Sequence, residues 1–264
     1  MDNMQQTNAP DSQDRLFKTG RVLGVEVAAT DMDAAIGTVC DSIDALRGEY
    51  LCFTNAHTTV TAYGDDGFLQ AQNSSVATFP DGKPVAVVMK MRGHKSTMRV
   101  TGPDFMGKMF EMSEQNGLSH YFYGSTEDTI SVLREKLLEK YPNIKIAGMY
   151  SPPFRELSAE DDEKIVEMIN SAAPDIVWVG LGAPKQENWM LAHKGRINAL
   201  MAGVGAGFDY HAGKLRRAPK WMQTLCLEWL YRLIQEPRRL FGRYISTNTK
   251  FIWLNLFGRK HKSK

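Results

Sequence analysis

The segment 175–189 combines a short apolar run, a glycine-rich turn and an amphipathic stretch, a pattern that can bind a phosphate or a sugar hydroxyl. The apolar run suits a strand buried on both faces of a parallel sheet, and Gly180, Gly182 and Pro184 end it. Lys185 then opens a predicted helix, whose first backbone N–H groups point outward and favour an anion. An ordinary βα turn that binds nothing has the same pattern, so both interpretations stay open.

Polar side chains also follow other predicted strands. The buried strand predicted at 50–54 ends in Thr54 and Asn55, and Asp81 follows the predicted strand 76–79. Open α/β sheets bind ligands in the crevice outside the carboxyl ends of their strands, so these residues are predicted to lie at such a crevice. Asp81 stands between proline and glycine, where an aspartate is equally a normal turn residue.

Four further positions are candidates for binding a phosphate or a sugar. Gly124 and Ser125 follow the predicted strand 120–123; small residues with free N–H groups suit a diphosphate, although a helix cap explains them too. Arg99 precedes a predicted helix, where it either reaches a phosphate or stays solvated. Asp209 follows a glycine-rich strand exit whose spacing does not fit G-x-G-x-x-G, because phenylalanine takes the place of the last glycine. A nicotinamide dinucleotide fold is therefore disfavoured.

Two aspartates at the predicted start of a helix, Asp31 and Asp33, match the Asp-x-Asp pattern that holds a divalent metal and a sugar nucleotide in many glycosyltransferases. Acidic residues are also expected in a first helical turn because of the helix dipole, and this interpretation is preferred. No metal site and no cofactor are predicted. The three cysteines are far apart in sequence, so neither a disulfide framework nor a zinc site is indicated, and a reducing compartment is expected.

The chain of 264 residues is long enough for one large α/β domain, or for one domain with a small appendage. Strands are predicted to alternate with helices, beginning with one strand at 21–27 and a helix capped by Thr30. This order favours a Rossmann-like, largely parallel sheet with helices on both faces. Residues 1–15 are predicted to be disordered, 16–212 to form the α/β domain and 213–264 to form a helical basic appendage.

Basic residues are concentrated in the last fifth of the chain. From residue 213 there are 13 Lys and Arg against two acidic residues, which leaves 19 basic and 28 acidic residues in the rest of the chain. Tryptophans and other bulky apolar residues alternate with these basic residues at helical spacing, which indicates a segment lying in the interface of an anionic membrane. Helices packed on the main domain with a solvated basic face are the other interpretation, and both can hold. Because no apolar stretch has bilayer length and no leader pattern is present, the protein is expected in the cytoplasm, peripherally associated with the inner face of the cell membrane.

Short motifs in a fixed order carry a resemblance to a known family. They are Asn55-Ala56-His57, Phe79-Pro80-Asp81-Gly82, Arg99-Val100-Thr101-Gly102-Pro103-Asp104, Tyr123-Gly124-Ser125, Val179-Gly180-Leu181-Gly182-Ala183-Pro184-Lys185-Gln186-Glu187, Gly205-Ala206-Gly207-Phe208-Asp209, Glu228-Trp229-Leu230-Tyr231-Arg232 and Glu236-Pro237-Arg238-Arg239. Together they cover about residues 22–244. On these motifs the chain resembles the WecG/TagA/CpsF glycosyltransferases, which form glycosyltransferase family 26.

The resemblance implies an inverting, metal-independent hexosyltransferase that moves N-acetylmannosamine or a related hexose from a UDP-sugar to a polyprenyl-diphosphate-linked sugar. The product would serve cell-wall teichoic acid, capsule or exopolysaccharide synthesis. The resemblance also implies that Asp81 is the general base and that Asn55, Arg99 and Gln186 line the site. Family members often have threonine where this chain has Phe53, with Thr54 one residue on. A homo-oligomer is compatible with this interpretation, and no nucleic-acid partner is expected.

Physical chemistry makes this mechanism coherent, because a carboxylate can take the acceptor proton and positive charge can stabilise the departing UDP. The candidates for that charge in the tail are Arg232, Arg238, Arg239 and Arg243. Further predicted substrate-binding residues are Thr54, Gly124, Ser125, Gly182, Lys185 and Asp209. Two alternatives stay open: a nucleotide-dependent enzyme of another chemistry, such as a methyltransferase or dehydrogenase, and a non-catalytic peripheral-membrane nucleotide-binding protein. The missing dinucleotide pattern disfavours the first, and the polar residues at several strand ends disfavour the second.

Overall fold

The computed structural model describes residues 16–219, 221–222, 227–235 and 237–257. Within these ranges a two-stranded antiparallel hairpin precedes a six-stranded sheet whose order is β4-β3-β8-β7-β5-β6, with all neighbours parallel. The strands are β1 (Thr19–Val22), β2 (Val25–Ala28), β3 (Tyr50–Thr54), β4 (Ala77–Pro80), β5 (Ser119–Gly124), β6 (Lys145–Tyr150), β7 (Ile176–Gly180) and β8 (Leu200–Gly203). The prediction for residues 1–15 lies outside the described part.

Helices connect these strands. In the described ranges they are α1 (Met32–Asp41), α2 (Ala56–Tyr63), α3 (Asp66–Asn73), α4 (Lys83–Met91), α5 (Gly102–Asn116), α6 (Glu127–Lys140), α7 (Ala159–Ser171), α8 (Lys185–His193), α9 (Gly207–His211), α10 (Glu228–Gln235) and α11 (Pro237–Phe257). No helix in this part of the chain is long and apolar enough to cross a membrane.

The sheet is buried on both faces, as alternating side chains of β7 show. Trp178 packs in a core with helices α1, α5 and α6, whereas Val177 and Val179 pack in a second core with α7 and α8. Both cores exclude water from a strand whose sequence is a continuous apolar run, which is the pattern of a central parallel strand. The predicted Rossmann-like fold, with a parallel sheet between two helical layers, is confirmed.

The amino-terminal strand prediction is wrong in one respect. The single strand predicted at 21–27 is a hairpin, because Leu23 and Gly24 adopt positive φ angles of 52° and 93° and turn the chain between β1 and β2. The predicted cap of the following helix is also displaced by one residue. Asp31 rather than Thr30 caps α1, with its carboxylate accepting from the Ala34 N–H at 2.9 Å.

The C-terminal helix α11 lies against α2. Its Phe251 and Leu254 are buried in a third apolar cluster together with Val22, Val60 and Phe68. On the other side of the same helix, Ile252, Trp253, Leu256 and Phe257 are exposed. The helix therefore buries one apolar face against the α/β body and presents another to the outside. The boundary predicted at residues 212 and 213 stays a prediction.

Candidate active site

A cavity of about 870 Å³ opens at the carboxyl ends of the parallel strands. The turns that follow β3, β4, β5, β7 and β8 all contribute to its lining. The strand register explains this convergence, because Thr54 pairs with Pro80, Gly124 pairs with Gly180 and Val179 pairs with Gly203, so the strand ends lie level. This is the edge at which open α/β sheets bind their ligands.

Asp81 lies in the cavity directly after β4. Its backbone N–H donates a hydrogen bond to the Thr54 carbonyl at 2.9 Å. Burial raises the pKa of Asp81 to about 6, and the charge of Glu228 adds to the rise. Arg99, a hydrogen bond with Asn55 and Arg217 act in the opposite direction. A carboxylate with a pKa in this range is ionised at neutral pH and still basic enough to accept a proton.

Asn55 is both the cap of α2 and the neighbour of Asp81. Its side-chain oxygen accepts from the N–H groups of His57 at 3.0 Å and Thr58 at 3.2 Å, while Thr58 returns a bond to the Asn55 N–H. This capping box fixes the side chain, so its hydrogen bond with the Asp81 carboxylate has a defined direction. The predicted pair Asn55 and Asp81 is thus brought together by adjacent strands.

Two arginines in the cavity wall are paired with carboxylates. Arg99 donates to Glu228, and its other terminal nitrogen lies 3.9 Å from Asp104. Arg217 contacts the same Asp104, with a 3.1 Å bond from Nη2, and reaches Thr101 Oγ1 at 3.3 Å. These contacts lower the pKa of Asp104, against its burial. The cavity therefore holds two guanidinium groups whose geometry suits phosphate oxygens.

Gln186, the second residue of α8, is buried and bonds to the two glycine turns next to it. Its Oε1 accepts from the N–H groups of Gly182 at 3.1 Å and Gly205 at 3.0 Å. Its Nε2 donates to the Gly203 carbonyl at 3.0 Å and to Glu187 Oε1 at 3.0 Å. Every polar atom of this side chain serves the protein itself, so Gln186 fixes the shape of the turns after β7 and β8.

Glu187 is a buried carboxyl group at the cavity, with 2% of the residue exposed. Burial raises the pKa of Glu187 to about 7, whereas hydrogen bonds from its own backbone and from Gln186 act against this rise. Its Oε2 has no hydrogen-bond partner within the described residues. The group is therefore largely protonated below neutral pH, and this residue was not predicted from the sequence as a site residue.

The turn after β5 approaches the turn after β7 very closely. Gly124 has a φ of 124°, and a Cβ at this position would lie 2.7 Å from the backbone of Gly180. Ser125 also has a positive φ, 61°, and its N–H donates to the Gly180 carbonyl at 3.1 Å. Ser125 lines the cavity, whereas Gly124 makes the close approach beneath it.

The remaining predicted residues are placed in three ways. Asp209 and Gly182 line the cavity. Thr54 is fully buried beneath the cavity, and its hydroxyl oxygen lies 2.9 Å from that of Thr58. Lys185 is exposed and does not line the cavity. The side chains of Arg232, Arg238, Arg239 and Arg243 lie outside the described part of the structure, so their role stays a prediction.

Several cavity residues that were not predicted come from the segment interpreted as an appendage. Arg217 and Glu228 are the clearest, and Lys214 joins them by contacting Asp128 and donating to Thr129 Oγ1 at 3.0 Å. The only sequence signal was the motif that begins with Glu228, which carried the resemblance but no assigned role. Among the described residues, the chain after α9 therefore contributes Lys214, Arg217 and Glu228 to the cavity lining.

Neither aspartate of the Asp-x-Asp pattern lines the cavity. Asp31 is the cap of α1, and Asp33 forms an ion pair with Lys108 at 3.0 Å. Among the described residues, no group of three or more His, Cys, Asp or Glu side chains is arranged to hold a metal ion.

Comparison with known proteins places the chain among glycosyltransferases. A relative from Bacillus subtilis (strain 168) is 32% identical over 75% of each chain, and one from Bacillus spizizenii is 30% identical over 75% of each. A Staphylococcus aureus (strain MW2) protein is 25% identical over 83% of this chain and 85% of its own. All three are named N-acetylglucosaminyldiphosphoundecaprenol N-acetyl-β-D-mannosaminyltransferase. The model of the glycosyl transferase WecG/TagA/CpsF family matches residues 20–264, and this chain belongs to that family.

Proposed function

We propose that this protein transfers N-acetylmannosamine or a related hexose from a UDP-sugar to a polyprenyl-diphosphate-linked sugar, with inversion, in the synthesis of teichoic acid, capsule or exopolysaccharide. One observation carries the proposal: a cavity carboxylate, Asp81, lies at a strand end beside a fixed amide and two guanidinium groups. The names of the relatives describe transfer of N-acetylmannosamine to a diphosphoundecaprenol-linked acceptor.

The reaction follows from these groups. The acceptor hydroxyl oxygen attacks the anomeric carbon of the donor, and the bond between that carbon and the UDP oxygen breaks. Asp81 takes the hydroxyl proton as the new bond forms, and a single displacement inverts the anomeric carbon. Arg99, Arg217 and the N–H groups at the strand ends supply positive charge for the departing diphosphate.

We also propose that the transfer needs no metal, since Asp31 and Asp33 serve as a helix cap and an ion-pair partner. Activity is then expected to be the same in EDTA as in buffer. Loss of activity in chelator, restored by added magnesium or manganese, would contradict this part of the proposal.

The substitution Asp81→Asn tests the proposed base. Asparagine has the same shape but cannot accept the proton, so transfer is expected to fall by about a hundredfold or more. UDP binding, measured by calorimetry, is expected to stay close to wild type, because the base acts on the acceptor. Near-normal turnover by the variant would show that the base is another residue.

Mass spectrometry of the reaction products separates this proposal from its alternatives. Wild-type protein is incubated with a panel of UDP-sugars and a short-chain lipid-diphosphate acceptor, and the mass added to the acceptor identifies the transferred hexose. A non-catalytic nucleotide-binding protein would bind UDP and leave the acceptor mass unchanged. An enzyme of another chemistry would alter either substrate by a mass other than that of a hexose residue.

A membrane surface is the proposed second partner. The acceptor proposed here is attached to a lipid, and α11 presents exposed apolar side chains on a segment rich in basic residues. Such a helix suits the interface of an anionic membrane, so we propose peripheral association with the inner face of the cell membrane. A homo-oligomer stays a prediction.

A further inference from the structure

Glu228, the first residue of α10, lies in the cavity, although no role in the site was predicted for it from the sequence. Its carboxylate contacts the Arg99 guanidinium, and both side chains are largely removed from water, with exposures of 23% and 21%. The two residues are 129 positions apart in sequence, so the contact exists only because the C-terminal segment folds back over the cavity. A half-buried ion pair of this kind interacts more strongly than one on the open surface.

The charges that act on Asp81 come from three separate parts of the chain. Arg99 before α5 and Arg217 after α9 lower the pKa of Asp81, and Glu228 of α10 raises it. The other titratable side chains that line the cavity are His57, Lys83, Glu187, Asp209, Tyr210 and Lys214. Arg217 is held by Asp104, with a bond of 3.1 Å. Arg99 is held chiefly by Glu228, since Asp104 is 3.9 Å away from it. Each guanidinium near Asp81 thus has its own carboxylate.

We propose that Glu228 is a positioning residue of this active site. It pairs with Arg99, and the pairing prevents the positive charge of Arg99 from making the Asp81 carboxylate a weaker base. An unpaired Arg99 would stabilise the Asp81 carboxylate and make it a poorer proton acceptor. A general base works best when its basicity matches the operating pH, so the pairing maintains the base that the reaction uses. The inference rests on the proposed function, because it assigns Glu228 a role through Asp81.

The pH dependence of kcat/KM tests the inference. Wild type is expected to lose activity on the acid side near the pKa of Asp81, about 6. Glu228→Gln keeps the shape of the side chain and removes its charge, so this acid limb is expected to move down by about one pH unit. Glu228→Asp keeps the charge and is expected to keep the acid limb near its wild-type position.

Two controls make the result decisive. Glu163 forms a 2.7 Å ion pair with Arg196, and neither residue lines the cavity. Glu163→Gln breaks this pair and is expected to leave the pH dependence of kcat/KM unchanged. Circular dichroism and thermal melting of each variant confirm that it is folded. An acid limb that stays in place in Glu228→Gln, while Asp81→Asn is inactive, overturns the inference and leaves the proposed function intact. Normal turnover by Asp81→Asn would show that Asp81 is not the general base, and the inference about Glu228 would then be wrong as well.

Discussion

At the scale of single residues, Gln186 determines how the two glycine turns face the cavity. Gln186→Ala removes the acceptor of two backbone N–H groups and the donor to the Gly203 carbonyl. Buried groups without partners cost about 1–3 kcal/mol each, so the free energy of unfolding in urea is expected to fall by at least about 2 kcal/mol. UDP affinity is expected to fall as well, because the turns lose their shape.

The matched control for this substitution is Gln70→Ala, at an exposed position of α3. Surface substitutions of this kind change stability by about 0.5 kcal/mol or less. If both alanine variants unfold at the same urea concentration as wild type, the hydrogen bonds of Gln186 do not hold the turns.

Glu187 is expected to make stability depend on pH. The folded protein raises the pKa of Glu187 from 4.5 to about 7, so between these values the folded state keeps a proton that the unfolded state has lost. Protons bound preferentially by the folded state stabilise it at low pH, and this contribution is lost as the pH rises through 7. The loss is on the order of 3 kcal/mol at most, from 1.36 kcal/mol per pKa unit.

Glu187→Gln isolates this contribution, because glutamine resembles the protonated acid at every pH. Chemical unfolding at pH 5 and pH 8 is expected to show a smaller loss of stability in the variant than in wild type. Parallel losses in the two proteins would mean that Glu187 is already ionised in the folded state at pH 5.

At the scale of elements, the helix α11 is expected to be part of the folded body. Phe251 is 4% exposed in a cluster with the hairpin and α2, and Phe251→Ala is expected to cost about 3–5 kcal/mol in urea unfolding of the full chain. The neighbouring Ile252 is 58% exposed, so Ile252→Ala is expected to cost about 0.5 kcal/mol or less. Equal small effects at both positions would show that the helix is an independent appendage.

Continuous apolar runs predicted several of the strands. Strands β3, β5 and β7 are bounded by turn residues, and their burial on both faces removes any alternation from the pattern. The hairpin was missed because its turn at Leu23 and Gly24 interrupts a run of apolar residues by only one glycine. Helix α2 was not predicted, because it begins directly after β3 and its cap, Asn55, is a polar residue that is equally typical of a strand exit.

The residues that line the candidate site were predicted only in part, for a physical reason. Asn55 and Asp81 follow strands, and the ends of adjacent parallel strands meet whatever the rest of the chain does. The pairs between Arg99 and Glu228 and between Arg217 and Asp104 join residues 129 and 113 positions apart. No local pattern encodes such contacts, since they depend on how the C-terminal segment returns over the sheet.

At the scale of the whole molecule, one helix connects the cavity to the proposed membrane surface. Asn248 of α11 lines the cavity, and the exposed Trp253 is five residues further along the same helix. A helix rises 1.5 Å per residue, so the two positions are separated by about 8 Å along its axis. A protein that docks through the exposed end of α11 would therefore hold the cavity near the lipid surface, where the sugar of a lipid-linked acceptor is found.

This geometry predicts that the exposed apolar side chains of α11 determine membrane binding. The double variant Trp253→Glu and Leu256→Glu is expected to lose co-sedimentation with vesicles of anionic lipid, because it removes apolar burial and adds negative charge. Wild-type binding is expected to weaken as salt rises, since basic residues near the surface contribute about 1 kcal/mol each. Transfer to a soluble acceptor analogue is expected to be retained.

The control is Leu138→Glu, at an exposed position of α6, which is expected to bind vesicles like wild type. Because the residues changed on α11 are exposed, the double variant is also expected to unfold at the wild-type urea concentration. Vesicle binding by the double variant at wild-type strength would place the docking surface elsewhere on the molecule. Loss of both vesicle binding and transfer to the soluble analogue, in a variant that is still folded, would show instead that this end of α11 acts on the cavity itself.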